Sequence, residues 1–134
     1  MSYAIKTIRQ CLGNILIFLV VAVPLPCSAD PGTLPITPAQ AADNVGKQAT
    51  VCGKVANTYY SRFVARQPTF INFGKPYPNH VFSVAISGED RKNFEDRPEK
   101  LFENRNVCVT GLIELYDGKP LMAIKDQSQV QWND

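Results

Sequence analysis

Thr69-Phe70-Ile71-Asn72-Phe73, then Gly74-Lys75-Pro76-Tyr77-Pro78-Asn79, then His80-Val81-Phe82-Ser83-Val84-Ala85-Ile86-Ser87-Gly88 is the stretch on which the fold turns. Its two outer segments are rich in β-branched and aromatic residues and have a period of two, which is the pattern of half-buried strands. The segment between them carries Gly74, Pro76 and Pro78, residues that bend a chain and cannot continue a ladder. The pattern therefore predicts a strand over 69–73, a turn over 74–79, and a strand over 80–87 with Phe82, Val84 and Ile86 inward. Ile71 and Phe73 should lie opposite Phe70 and Asn72, and Gly88 should end the second strand.

On the amino-terminal side the same period runs through 49–60, with Val51, Gly53 and Val55 on one face and Cys52 and Lys54 on the other. Gly53 inside it suggests a bend. Thr37 followed by Pro38 reads as an N-cap with proline at the first helical position, so 38–44 is a short helix that Gly46 stops. On the carboxy-terminal side, 89–102 has helical character, with Phe94, Leu101 and Phe102 as apolar points and Pro98 dividing it in two. A strand over 106–116 follows. Asp117-Gly118 signals a hairpin, and a last strand covers 120–125. Residues 127–134 form a polar tail that Val130 and Trp132 pin to the body.

Three strands, a helical connection and two further strands is the order of an OB-fold, a five-stranded Greek-key barrel, so the chain is placed among mainly β proteins. Gly53 and Gly111 suit the sharp coiling that such a barrel demands. In that topology the first strand pairs with the fourth, which brings Cys52 and Cys108 together on the face opposite Val51, Val55, Val107 and Val109.

The chain has 134 residues, 14 basic and 12 acidic, which bounds it to one ordinary globular domain. Residues 1–29 read as an export signal cleaved after Ala29: Lys6 and Arg9 provide a positive start, Leu16 to Val23 an apolar run, and Cys27-Ser28-Ala29 a small-residue end. A retained membrane anchor and a lipid attached at Cys27 are the alternatives. Residues 30–36 are then a flexible, Pro-rich lead-in and 37–134 the folded domain. Cleavage leaves 12 of the basic residues against all 12 acidic ones, and global attraction to a polyanion is not supported by that balance. The distribution is uneven, however. No acid lies between Asp43 and Glu89, where Lys47, Lys54, Arg62, Arg66 and Lys75 fall, whereas 89–103 holds six acids against four bases.

Cys52 and Cys108 are the cysteines of the mature chain, and an oxidising compartment, periplasmic or extracellular, favours a disulfide over two unlinked thiols. That bridge closes a loop of about 57 residues, for which chain entropy alone allows roughly 4 kcal/mol. Neither cysteine lies in a Cys-x-x-Cys pair, so redox catalysis and metal ligation lack support.

Beyond this pattern, Gly46-Lys47, Val51-Cys52-Gly53-Lys54-Val55, Thr69-Phe70-Ile71-Asn72-Phe73-Gly74-Lys75, Phe82-Ser83-Val84-Ala85-Ile86, Val109-Thr110-Gly111 and Tyr116-Asp117-Gly118-Lys119-Pro120 resemble the OB-fold domains attached to secreted bacterial sugar-nonspecific nucleases and their small stand-alone relatives. The resemblance spans about 36–130. It implies a nucleic-acid-binding module without catalysis of its own, since the nuclease-associated members carry catalysis in separate domains.

An OB-fold commonly binds along its second and third strands and the bordering loops, with bases stacked on aromatic rings over a basic groove. The candidates are Tyr59, Tyr60, Arg62, Phe63 and Arg66 in the loop between the first two strands, Phe70 and Asn72 outward on the second, and Lys75, Tyr77 and His80 in the next turn. The same residues fit a plainer use, in which Phe63 and Phe70 pack under the loop while Arg62, Arg66 and Lys75 keep the surface soluble. His80, the sole histidine, reads as a strand-start residue. No phosphate loop, clustered carboxylate set or serine with a partner base is present, so no enzyme, cofactor or metal is expected. Glu89-Asp90 follows Ser87-Gly88, where acids suit a helix start. The expected ligand is single-stranded nucleic acid or a nucleotide. The alternative is an envelope protein using the barrel to hold a protein, a small ligand or a glycan.

Overall fold

The computed structural model describes Leu34–Asp134; the expected export signal and the first part of the expected lead-in lie outside the described residues. Ile36, at the end of the lead-in, is docked: its N–H donates to the Thr50 carbonyl (2.8 Å) and its carbonyl accepts from Cys52 N–H (2.9 Å). Pro38–Asn44 is helical, as Thr37-Pro38 predicts, but in the tighter 3-10 form. Gln40 closes its start, its side chain accepting from Thr37 N–H at 2.8 Å.

Six strands follow: β1 (Gln48–Tyr60), β2 (Thr69–Phe73), β3 (Phe82–Ile86), β4 (Asn106–Tyr116), β5 (Lys119–Ala123) and β6 (Val130–Trp132). The first five run in the spatial order β1-β2-β3-β5-β4, and β4 pairs back on β1, which closes the barrel. All pairs are antiparallel except β3 with β5. That strand order, one parallel pair and closure through β1 and β4 are the OB-fold.

The inward row contains the alternate set read from the pattern, together with Ile113 and Met122. Val51, Val55, Ile71, Phe73, Phe82, Val84, Ile86, Val107, Val109, Ile113 and Met122 are all buried, and the Phe73 and Phe82 rings meet 5.4 Å apart. Each such side chain contributes about 1.5 to 3 kcal/mol by leaving water. Asp117 and Gly118 both have positive φ (57° and 80°), the conformation of the tight hairpin turn their sequence signals.

Three expectations need correcting, and the place of the irregularity in β1 is a further finding. The pairing of Gly53 with Val107 is in regular register, and the register shift of β1 lies between Val55 and Asn57. Gly53 serves a close approach, because a Cβ there would come within 2.6 Å of Pro38 Cγ. Tyr59 and Tyr60 belong to β1, not to the loop after it. His80 belongs to the turn: Val81 N–H donates to the Phe73 carbonyl at 3.0 Å, so the ladder of β3 starts only at Phe82. The tail is also more ordered than a pinned polar segment, since β6 adds to β4 with Val107 opposite Trp132 and Val109 opposite Val130.

The connection from β3 to β4 contains a 3-10 helix (Gly88–Asn93) and one short helix, α1 (Pro98–Leu101), with Pro98 at its first turn. It carries Phe94 and Phe102 into the core, and Trp132 of β6 packs on Phe102 at 5.1 Å. The connection is held by Arg91. Its guanidinium bonds both Glu99 oxygens (3.0 and 3.1 Å) and the Thr69 hydroxyl, and lies 3.7 Å from the centre of the Tyr60 ring. Burial pushes the Glu99 carboxyl pKa up. The bond from Arg91, a backbone bond at Glu99 and the charges of Arg91 and Arg97 outweigh it and leave it below the ordinary value.

Candidate functional site

The register assigns an outer wall to β1, β2, β3, β5 and β4. Opposite residues share a face in an antiparallel pair, so Tyr59, Phe70 and Ala85 form one outward row and Asn57, Asn72 and Ser83 the next. Leu121 continues the second row on β5, and Glu114 on β4 lies opposite Leu121. Asn57 reaches this wall because the irregularity at Ala56 shifts the alternation of β1, a common way to re-aim a side chain.

The wall is aromatic at the end where β1 meets β2. Tyr59 is 55% exposed. Phe70 is half-buried and stacks on Tyr116, centroids 6.4 Å apart and planes 28° from parallel. Above this end, the β1–β2 loop presents Phe63, 95% exposed, with Arg62 and Arg66 exposed on either side. Phe63 therefore does not pack under the loop. Among the described residues neither Arg62 nor Arg66 has a carboxylate within 4.0 Å; the ion pairs are Arg91 with Glu99 and Arg105 with Asp134.

Other candidates are placed differently. Tyr60 is occupied by the protein, with Arg91 over its ring and Arg62 5.7 Å away. Asn72 faces outward but is only 2% exposed, its Nδ2 donating to Asn57 Oδ1 at 3.0 Å. Lys75, Tyr77 and His80 lie beyond the far end of β2. Four residue steps of about 3.3 Å separate the two ends of that strand, so the ten residues form two clusters and not one.

In the second cluster Tyr77 stacks on His80 (5.7 Å), next to a cis Tyr77-Pro78 bond. Lys119, from the start of β5, donates from Nζ to the carbonyls of Pro78 and His80 (3.0 Å for the latter), tying this turn to the β4–β5 hairpin. Desolvation, then the Lys119 charge, holds the His80 pKa below its ordinary value.

The tertiary structure also brings acids to a segment that has none in sequence. Glu89 shares with Arg66, Gln67, Ser87 and Gly88 a shallow depression of about 320 Å³, and Glu114 sits on the outer wall. Tyr116 and Asn57 were not among the candidates. Tyr116 could have been found from its place just before the Asp117-Gly118 turn, since the β4–β5 loop borders an OB binding face; nothing in the sequence marks the register shift that turns Asn57 outward.

Cys52 and Cys108 are directly opposite on β1 and β4 and joined by a disulfide, on the face away from the valine core as expected. Among the described residues no group of three His, Cys, Asp or Glu side chains could hold a metal ion, and no helix is long and apolar enough to cross a membrane.

No protein-family model and no curated protein matches the chain. Among solved structures, it is similar to an aspartyl-tRNA synthetase of Leishmania major Friedlin with a TM-score of 0.47 and 10% identity, over 83% of this chain and 22% of the synthetase. It is similar also to OBody AM1L10 bound to hen egg-white lysozyme (TM-score 0.46, 16% identity, 80% of this chain and 99% of that one). OBody AM2EP06 bound to the same lysozyme gives 0.43 and 15%, over 72% and 91%. At these identities the likeness concerns the fold alone.

Proposed function

We propose that this chain is an exported, non-catalytic binding module that holds single-stranded nucleic acid across the outer wall of β1 and β2, beneath the β1–β2 loop. The observation that supports this most is the pairing of exposed rings with guanidinium groups free of carboxylates: Phe63 is 95% exposed between Arg62 and Arg66 in the loop, and Tyr59 and Tyr116, each 55% exposed, flank Phe70 on the wall. Stacking contributes about 1 to 3 kcal/mol per base and tolerates any base. Two working rings with two phosphate contacts make a weak, salt-sensitive site. For a single strand the slope of log K against log salt is then about −1.4, or −0.7 per phosphate. The disulfide fits residence in an oxidising compartment.

Fluorescence anisotropy of a labelled thymidine octamer tests the reading. Affinity should fall with salt at about that slope, the Arg62→Ala/Arg66→Ala variant should flatten it, and Phe63→Ala should weaken binding by roughly 5- to 150-fold. Failure to bind at low salt removes the proposal. A protein, small ligand or glycan in the envelope is the second reading. It is favoured by the exposed Phe63-Val64 tip and by Glu114 on the wall; reproducible capture of one partner, unaffected by nuclease, would establish it instead.

A further inference from the structure

The middle of the outer wall is polar where an apolar row would be cheaper. Asn72 and Ser83 are 2 and 4% exposed and directly opposite each other, and Asn57 is opposite Asn72. Burying an amide or hydroxyl costs free energy unless its hydrogen bonds are made. Here they are made in part. The one bond within the row joins the two amides at 3.0 Å. Whichever way each amide is turned, that bond uses one carbonyl and one NH2 and leaves one of each without a protein partner. Among the described residues the one wholly buried side-chain nitrogen or oxygen without a partner is His80 Nδ1. The spare carbonyl, the spare NH2 and the Ser83 hydroxyl are therefore not wholly buried.

The row lies beside the aromatic platform. Asn72 and Phe70 are two residues apart on the same face of β2, roughly 7 Å along the strand. A ring stacked on Phe70 and Tyr116 would turn its edge toward the Asn72 amide. A donor and an acceptor side by side are what an amide offers to a base edge, and the irregularity at Ala56 is what brings Asn57 into line to complete the set.

We propose that Asn57, Asn72 and Ser83 form a base-reading row, so that the module discriminates between bases and does more than grip a strand. This rests on the nucleic-acid reading above and adds specificity to it. Phosphate contacts and stacking carry affinity without sequence information; the amides and hydroxyl of the row can distinguish one base edge from another.

The test uses labelled octamers of deoxyadenosine, deoxycytidine and thymidine, guanosine runs being left out because they self-associate. The wild-type chain should separate its tightest from its weakest octamer by about tenfold, since one or two hydrogen bonds are each worth a factor of about 2 to 10. Asn72→Leu should bring the three within about threefold of one another. Arg62→Ala should weaken all three alike and leave their ratios intact. Asn57→Ala and Ser83→Ala, at less demanding positions, give the same readout if Asn72→Leu fails to fold by circular dichroism. Equal wild-type affinities, or unchanged ratios in the row variants, would overturn the proposal while leaving the binding function standing. No binding to any octamer would overturn both.

Discussion

Arg91→Ala should be among the most destabilising single changes in this domain, for reasons that can be counted. The guanidinium is 16% exposed and its Glu99 partner 22%, so the pair is screened far less than a surface pair. Removing it takes the ion-pair partner from the Glu99 carboxylate, the hydrogen bond from the hydroxyl of fully buried Thr69, and the guanidinium 3.7 Å over the ring of Tyr60, to which only the more distant Arg62 remains. Breaking a wholly buried pair costs about 3 to 5 kcal/mol and an exposed one 0 to 1; a stranded hydroxyl adds about 1 to 3 and the cation–ring contact about 0.5 to 2. These losses share atoms and do not add, so the expected total is about 2 to 4 kcal/mol. That would lower Tm by roughly 10 to 25 °C for a domain of this size. Urea unfolding of the two single variants and of Arg91→Ala/Glu99→Gln closes a double-mutant cycle, with an expected coupling of about 1 to 3 kcal/mol. A loss below about 1 kcal/mol with coupling below about 0.5 would show the pair to be a solvent-screened contact and refute the account of how the β3–β4 connection is held.

Three further outcomes follow from the same structure. Replacing Cys52 and Cys108 by Ala should cost up to about 4 kcal/mol, and a reducing agent should lower the melting temperature of the wild-type chain but not of the variant; equal melting temperatures in oxidised and reduced wild type would contradict this. Because the folded-state His80 pKa lies below 6.5, the unfolded chain takes up the proton first, and stability should decline as pH falls from 7.5 toward 5.5. His80→Gln should remove that decline, and urea midpoints across the window report it before Glu99 begins to titrate. Gly74 has φ +90° and faces Val81, whose Cγ2 would lie 2.7 Å from an added Cβ; Gly74→Ala should cost about 1 to 2 kcal/mol by chemical denaturation, and a neutral result would mean that the turn relaxes.

The strands, their faces and the disulfide were legible because period-two patterning is a local property: burial of one face forces alternation from Val107 to Ile113 whatever the strand pairs with. The Asp117-Gly118 hairpin was legible for a similar reason, since positive φ at two successive residues restricts which side chains are cheap there. Tyr59, Arg62, Phe63, Arg66 and Phe70 could be named from composition, and they do share one end of the wall. Three features depended on contacts between distant segments. Tyr60 is covered by Arg91 from a helix some thirty residues on. The one-residue irregularity at Ala56 decides which way Asn57 faces, and no local signal announces it. Glu89, which ends the acid-free stretch in sequence, is folded back beside Arg66, and Glu114 of β4 joins the outer wall. Alternation is enforced residue by residue through burial, whereas the company a side chain keeps on the outer wall is set by register and barrel closure, which exist only once the chain has folded.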